Sequence, residues 1–424
     1  MIDPKLLREQ PDLIKATCKN KNVTIDIDAI VALDAKKREL QGQIDELNRS
    51  RKAAAEAKDI EKGKELKVQA AEMDKKLGEI DAELAPLLLK IPNVPSDDTP
   101  VGKDESENIV LREVGDKPKF DFAPKDHVAL GEALGWIDSE TGAAVAGARF
   151  VYLKGALVEL QMALQSYAMS VLLSPSSMEQ LVATSGLKVS AKPFTPVIPP
   201  LMIREDVMQK MARLEPKDER YQIPSDDLFL IGSAEHTLGP MHMDETIAEQ
   251  DLPLRYVAYT PAFRREAGSY GKDTKGLIRV HQFDKIEMES FCLGEQGIAE
   301  QEFLVAIQEH LMQQLGLPYQ VVMTCTGDQG DPDARHIDIE TWMPGQDKYR
   351  ETHSADYMSD YQARRLNTKV KTGKGTHLVH MNDATAVAMG RTLVAVMENY
   401  QTEDGKIRVP EVLKPYLGGR EVLD

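Results

Sequence analysis

The stretch TPAFRREAGSYGKDTKGLIRVHQFDKIE, residues 260–287, decides how the chain is read. Around it, RYVAYTPAFRREAG (residues 255–268) and GLIRVHQFDKIEMESF (residues 276–291) are β-rich runs, and SYGKDTK between them supplies turn residues. Two such runs flanking a glycine-containing loop predict a β-hairpin. Side chains alternate along a strand, so Arg279, His281, Phe283, Lys285, Glu287 and Glu289 fall on one face and Ile278, Val280, Ile286 and Met288 on the other. Arg264 and Glu266 share a face on the first strand. One face is therefore apolar, and the opposite one carries cations, a ring and acids. A solvated face laced with salt bridges accounts for this alternation as well as a nucleotide pocket does. In the pocket reading, arginine forks match phosphate oxygens, Phe283 stacks on a base and a carboxylate accepts from an amino group. Neither GxxxxGK[ST] nor GxGxxG occurs, so a nucleotide here needs a scaffold other than the common parallel-sheet ones.

Working outward, 424 residues with 42% hydrophobic content supply one large core and a smaller second domain. The formal net charge of -17 opposes broad attraction to a polyanion, so any nucleic-acid contact has to be local. Cys18, Cys292 and Cys325 lie far apart and form no CxxC pair, which argues against a disulfide framework or a cysteine zinc site and fits a reducing cytoplasm. The start, MIDPKLLREQ, lacks a signal-peptide apolar core, and no later apolar run reaches membrane-spanning length. The expectation is a soluble cytoplasmic protein with no membrane partner.

Residues 27–90 are rich in Lys, Glu, Ala, Leu and Gln, a composition for long helices. Leu33, Leu40, Ile44 and Leu47, with Lys37 filling one position, fall on steps of three and four, as do Leu66, Ala70, Met73, Leu77, Ile80, Leu84 and Leu87. AKDIEKGKEL, containing Gly63, separates the two seams and predicts a reversal, giving an antiparallel coiled-coil hairpin. Pro86 is expected to kink or end the second helix near Ala85. KIPNVPSDDTPVGKDESEN (residues 90–108) reads as an extended linker. After it, helical stretches mix with β-rich runs, predicting an α+β domain around a mainly antiparallel sheet. The division is a helical arm with linker over residues 1–100 and an α+β domain over residues 101–424. Basic residues on the arm, Arg49, Arg51, Lys52, Lys58, Lys62 and Lys64, offer a local anion-binding surface, although composition alone favours a solvated helical face.

FRREAG followed by GLIRVHQFDKIE resembles motif 2 of the class II aminoacyl-tRNA synthetases, and of the seryl-tRNA synthetases in particular. Further matches run in order along essentially the whole chain: LLLKIPNVP, KDHVALGEALGWID, RFVYLKGAL, TCTGDQGD, YRE, DYQARRLN and GRTLVAVMENYQTEDGKIRVPEVLKPYLGG. The resemblance implies that residues 101–424 are an antiparallel class II catalytic and dimerisation domain. It also implies a homodimer, with LVELQMALQSYAMSVLL and VIPPLMI, including Pro199 or Pro200, at the subunit interface. The activity it implies is activation of L-serine by ATP with Mg2+ and transfer of the seryl group to serine tRNA. The arm would bind that tRNA through Arg49, Arg51, Lys52 and Lys58.

By the same resemblance Arg264 holds the α-phosphate and the serine carboxylate, and Glu266 contacts the adenine amino group. Phe283 stacks on adenine, Arg279 helps to orient adenine or the phosphates, and Arg391 meets the outer phosphates. Glu351 and Ser354 are the metal ligands. Ser233 and Glu235 lie near the substrate ammonium, and Glu287 meets the serine hydroxyl with Thr385 nearby. Four places depart from the family pattern. ETHSADYM stands where EISSCSNC is usual, Ser233 replaces a threonine, and Asp383 replaces an asparagine often placed near serine, unless Asn382 shifts into that role. Ala262 takes the place of a frequent cysteine. His353 and Asp356 are too few for a zinc site and are read as structural. The departures at Ser233 and Asp383 keep a paralogue for another small amino acid in view; a noncatalytic RNA-binding protein is disfavoured by the retained Arg264, Glu266, Glu351 and Arg391.

Overall fold

A computed structural model describes residues 1–267 and 276–424; the SYGKDTK loop lies outside the described residues. The chain forms two compact units, Met1–Pro95 with Gly330–Pro332, and Ser96–Gln329 with Asp333–Asp424.

In the first unit, short helices α1 (Pro4–Glu9) and α2 (Pro11–Asn20) precede α3 (Ile27–Glu56) and α4 (Ile60–Leu89), each of the last two 30 residues long. Asp26 and Asp59 cap the long helices, accepting from Ala29 N and Lys62 N. The reversal is tighter than expected: it occupies residues 57–59, with Lys58 in the left-handed region at φ 57°, and Gly63 lies inside α4. The expected seam is the buried stripe: Ile44, Ala70 and Leu84 are buried, and Leu33, Leu40, Leu47, Leu66, Met73, Leu77, Ile80 and Leu87 half-buried. Lys37, at a seam position, reaches Asp81 of the facing helix at 2.6 Å. Pro86, expected to kink or end α4 near Ala85, does not end it: the helix runs on to Leu89. A proline so near the helix end removes one backbone bond, while the apolar stripe continues through Leu87. The segment after α4 is fastened rather than loose: Asn93 N donates to Asp331 O at 2.8 Å and Asn93 Nδ2 to Pro332 O at 2.9 Å.

The second unit is built on an eight-stranded sheet. In chain order its strands are β1 (Ile109–Val114), β2 (Thr195–Pro196), β3 (Leu254–Phe263), β4 (Gln282–Cys292), β5 (Tyr319–Met323), β6 (Arg335–Met343), β7 (Lys348–Ser359) and β8 (His380–Ala388). Their order across the sheet is β1-β5-β6-β7-β8-β4-β3-β2, antiparallel throughout except where β2 runs parallel to β3. Helices α5 (Ala156–Leu172), α6 (Gly297–Gln314) and α7 (Met389–Asn399) share one core with the sheet. Leu160, Leu164, Phe303, Ile307 and Leu393 from the helices cluster with Val257, Ile286, Met288, Ile339 and Ala384 from the strands. Burying each such side chain contributes about 1.5–3 kcal/mol. Alternation along β4 then sends Phe283, Lys285, Glu287 and Glu289 to the opposite face.

The hairpin is shorter than expected. β3 stops at Phe263 and β4 starts at Gln282, so Arg264, Glu266, Arg279 and His281 lie beyond the strand ends. Glu266, at φ 52°, cannot continue a strand. Arg264 N donates to His281 O at 3.0 Å, and the His281 ring Nδ1 returns a bond to Arg264 O at 2.9 Å, closing the mouth of the hairpin.

Two irregularities shape the polar face. Ile339 pairs with His353 but Glu340 pairs with Glu351, so Thr352 is an extra residue. That bulge reverses the alternation and brings Glu351 and Ser354, three residues apart, to one side. Strands β7 and β8 pair from Ala355 and Ala384 onward, and where they part Gln308 of α6 donates to Ser354 O at 2.7 Å and Thr385 O at 2.8 Å.

Candidate active site

Arg264, Glu266, Arg279, Phe283, Glu351, Ser354 and Arg391, all expected at the nucleotide, line one cavity that is partly open to solvent. Each is held by a traceable contact. Arg264 Nε donates to Gly232 O at 3.0 Å, and its guanidinium carbon lies 5.4 Å from the Phe283 ring centre. Arg279 Nη1 bonds Glu266 Oε2 at 2.8 Å, while Arg149 Nη1 donates to the Glu266 carbonyl at 3.3 Å. Arg391, in the first turn of α7, grips both Glu351 Oε1 and the Glu351 carbonyl at 2.9 Å. Burial disfavours the Glu351 charge, but Arg391 above all, with His336 and Arg264, outweighs it and holds the carboxyl below its usual range.

Lys285 and Thr385 line the same cavity and connect it to the residues expected to hold an amino acid. Ser233, Glu235, Glu287, Asp383 and Thr385 are all buried. Lys285 Nζ is 2.6 Å from Glu287 Oε2 and 3.9 Å from Glu235 Oε2, and Thr385 Oγ1 donates to Glu287 Oε2 at 3.4 Å. These two carboxyls are driven apart. For Glu235, Lys285 overcomes burial and keeps the group well below the carboxylate range. For Glu287, burial wins over Lys285, helped by the Glu235 charge, and pushes the group up to about 7. The buried Ser233 side chain adds to the forces that hold Glu235 ionised.

Beneath them lies a network that the sequence did not disclose. Across the sheet Glu289 faces Asp383, Asp383 faces Asp356, and Asp356 faces His336. Arg213, from the loop after the short helix Glu205–Lys210, reaches Asp383 Oδ2 at 3.1 Å, Asp356 Oδ2 at 3.3 Å and Asp333 Oδ1 at 3.8 Å. His336 contacts Asp356 Oδ1 and bonds Asp338 at 2.8 Å; despite burial, Asp338 and Asp356 keep the ring protonated well above its usual range. The carboxyls outnumber these cations, so some retain protons. Burial pushes Asp383 well above the carboxylate range even beside Arg213, whereas His336 and Arg213 overcome burial at Asp356 and keep it below. Asp333, His336 and Asp356 have the proximity of a cation site, but the bound proton on His336 and the Arg213 charge already fill that role. His353 stands apart, buried, with Nδ1 2.9 Å from Thr352 Oγ1.

A neutral Asp383 carries a hydroxyl donor, as an asparagine carries an amide donor. Asp383→Asn is therefore expected to change the KM for amino acid by less than about fivefold. Arg213→Met strands buried carboxylates and is expected to lower stability by about 3–5 kcal/mol, read as a fall in melting temperature.

The relatives of the chain agree with this geometry. Residues 219–400 match the tRNA synthetase class II core domain (G, H, P, S and T), and residues 1–95 match the seryl-tRNA synthetase N-terminal domain. The serine–tRNA ligase of Brucella canis is 39% identical over 435 aligned residues, covering 99% of this chain and 98% of its own. The chain belongs to the seryl-tRNA synthetase family. Among solved seryl-tRNA synthetases, that of Pyrococcus horikoshii complexed with ATP superposes with a TM-score of 0.89 at 34% identity, covering 100% of this chain and 99% of its own. The cytoplasmic serine–tRNA ligase of Naegleria fowleri in complex with AMP gives 0.87 at 29% identity, with the same coverage. As a seryl-tRNA synthetase family member, the chain carries its basic arm residues Arg49, Arg51, Lys52 and Lys58 exposed, at the end of α3 and in the turn to α4.

Proposed function

We propose that this chain activates L-serine with ATP, forming seryl-adenylate and pyrophosphate, and transfers the seryl group to serine tRNA. The observation that carries the reading is the convergence of the nucleotide-binding residues on one cavity whose lining also holds Lys285 and Thr385, the partners of two buried carboxyls driven to unlike charge. The ionised Glu235 suits the substrate ammonium, and Glu287, near neutrality, suits the hydroxyl as partner. A small side chain and a hydroxyl-specific partner together select serine over alanine.

The serine carboxylate oxygen attacks the α-phosphorus of ATP, and the bond to the pyrophosphate oxygen breaks. Arg264 steadies charge at the α-phosphate, Arg391 and Arg279 serve the outer phosphates, Phe283 stacks on adenine and Glu266 accepts from its amino group. Glu351 and Ser354, brought to one side by the bulge at Thr352, offer oxygen ligands of the hard kind magnesium takes. When bound, the ion neutralises phosphate charge. The terminal adenosine of serine tRNA then attacks the activated carbonyl and releases AMP.

The arm residues Arg49, Arg51, Lys52 and Lys58 provide the phosphate contacts for that tRNA. Assembly as a homodimer is supported by apolar side chains left exposed on both segments that the resemblance assigns to the interface: Val158 and Met162 on α5, and Ile198 and Met202 in VIPPLMI. Among the described residues, no single helix is long and apolar enough to cross a membrane, and a cytoplasmic site of action suits the three free cysteines. The test is serine-dependent ATP–pyrophosphate exchange, expected with magnesium and abolished by a chelator; a folded protein with no exchange refutes the reading.

A further inference from the structure

Three arginines come together around Gly232 and the amino-acid end of the site, and two of them are committed. Arg213 is ion-paired to Asp356 and hydrogen-bonds Asp383. Arg264 bonds Gly232 O and lines the nucleotide cavity. Arg220 has no hydrogen-bond or ion-pair partner for its side chain among the described residues, and its Nε is buried.

The backbone places Arg220 beside Arg264. Arg265 N donates to Glu219 O at 3.0 Å, and Leu230 N donates to Tyr221 O at 2.9 Å, so the residues on either side of Arg220 are stitched to the hairpin mouth and to the strand leading to Gly232. A β-carbon at Gly232 would lie 3.3 Å from Arg220 Nη1, 3.7 Å from Arg264 Cγ and 3.2 Å from His236 Cε1. Glycine leaves room there for both arginine side chains. His236 does not change the charge balance: burial pushes its ring down to about 3, so it is neutral, and its Nδ1 accepts from Gly232 N at 3.1 Å. Burial, then the charges of Arg264 and Arg213, lower Arg220 to about 10. With Glu235 and Glu219 only partly offsetting burial and the two like charges, and with no direct ion pair among the described residues, this guanidinium carries a cost that an anion relieves.

The place of Arg220 indicates which anion. Arg264 borders the nucleotide cavity but Arg220 does not. Arg220 instead flanks Gly232, the residue before the buried Ser233 and close to Glu235, where the substrate ammonium is placed. The group adjoining that ammonium in an amino acid is its α-carboxylate. We propose that Arg220 binds the α-carboxylate of the substrate amino acid as a second guanidinium beside Arg264, fixing the nucleophilic oxygen for attack on ATP.

The inference rests on the serine-activating reading and is tested in the same exchange assay with full-length protein. L-Serinamide, which keeps the ammonium and hydroxyl but has no carboxylate, serves as a competitive inhibitor. Arg220→Gln is expected to raise the KM for L-serine at least about tenfold, with the KM for ATP and the inhibition constant of L-serinamide unchanged. Arg220→Lys, which keeps the charge and guards against a folding defect, is expected to recover part of the loss. An unchanged KM for serine, or an equal loss of serine and serinamide binding, overturns the inference. Absence of serine-dependent exchange in the unmutated protein overturns the underlying reading instead.

Discussion

Replacing Arg264 by glutamine is expected to depress serine-dependent ATP–pyrophosphate exchange by about a thousandfold, mostly in kcat. Arg264 leaves the hairpin mouth with Nε committed to Gly232 O, which aims the rest of the guanidinium at the cavity over Phe283. The charge it meets grows on the α-phosphate as the serine carboxylate attacks, so its loss is felt most in the transition state. Glutamine keeps a polar amide but neither the charge nor the planar fork. Arg264→Lys is expected to restore little, because an ammonium cannot bond Gly232 and hold a second oxygen in the same plane. A loss confined to the KM for ATP would mean that Arg264 only binds nucleotide.

Removing the long hairpin, α3 with α4, and joining its ends through a short glycine-rich linker is expected to separate the two half-reactions. Charging of serine tRNA should fall at least about a hundredfold, while amino-acid activation stays within about twofold. The second unit has its own sheet and core, and every residue lining the nucleotide cavity belongs to it. Arg49, Arg51, Lys52 and Lys58 are exposed on the hairpin, where the acidic total charge of -17 is locally offset. Their contribution should be strongly salt-dependent. Aminoacylation and exchange measured on one preparation distinguish this outcome from a parallel loss of both, which would make the arm a determinant of folding.

Short-range periodicity made the arm and the hairpin legible. The seam from Leu33 to Leu87 and the polar alternation of Phe283, Lys285, Glu287 and Glu289 follow from helix and strand geometry alone. What escaped was set by contacts distant in the chain. Arg213 lies in MARLEPKDER, where nothing marks it, yet 170 residues separate it from the Asp383 to which it donates. Asp383 therefore looked like an added charge, whereas burial keeps it protonated in a network with Asp356, His336 and Arg213. Glu351 and Ser354 share a side only because of an unpaired Thr352, and a bulge leaves little trace in residue type. Gln308 reads as an ordinary helical glutamine until β7 and β8 part and leave two carbonyls for its amide. The limits of α4 and of the strands beside SYGKDTK moved for local reasons, a proline tolerated near a helix end and Glu266 in the left-handed region.

The central claim is that this site activates serine despite Ser233 and Asp383. ATP–pyrophosphate exchange across serine, threonine, alanine, glycine and cysteine tests it most directly. The geometry predicts exchange with serine at a kcat/KM at least about a hundredfold above that with alanine, since Glu287 and Thr385 lose their partner when the hydroxyl is absent. Exchange that favours another of these amino acids, or does not distinguish serine from alanine, would contradict it.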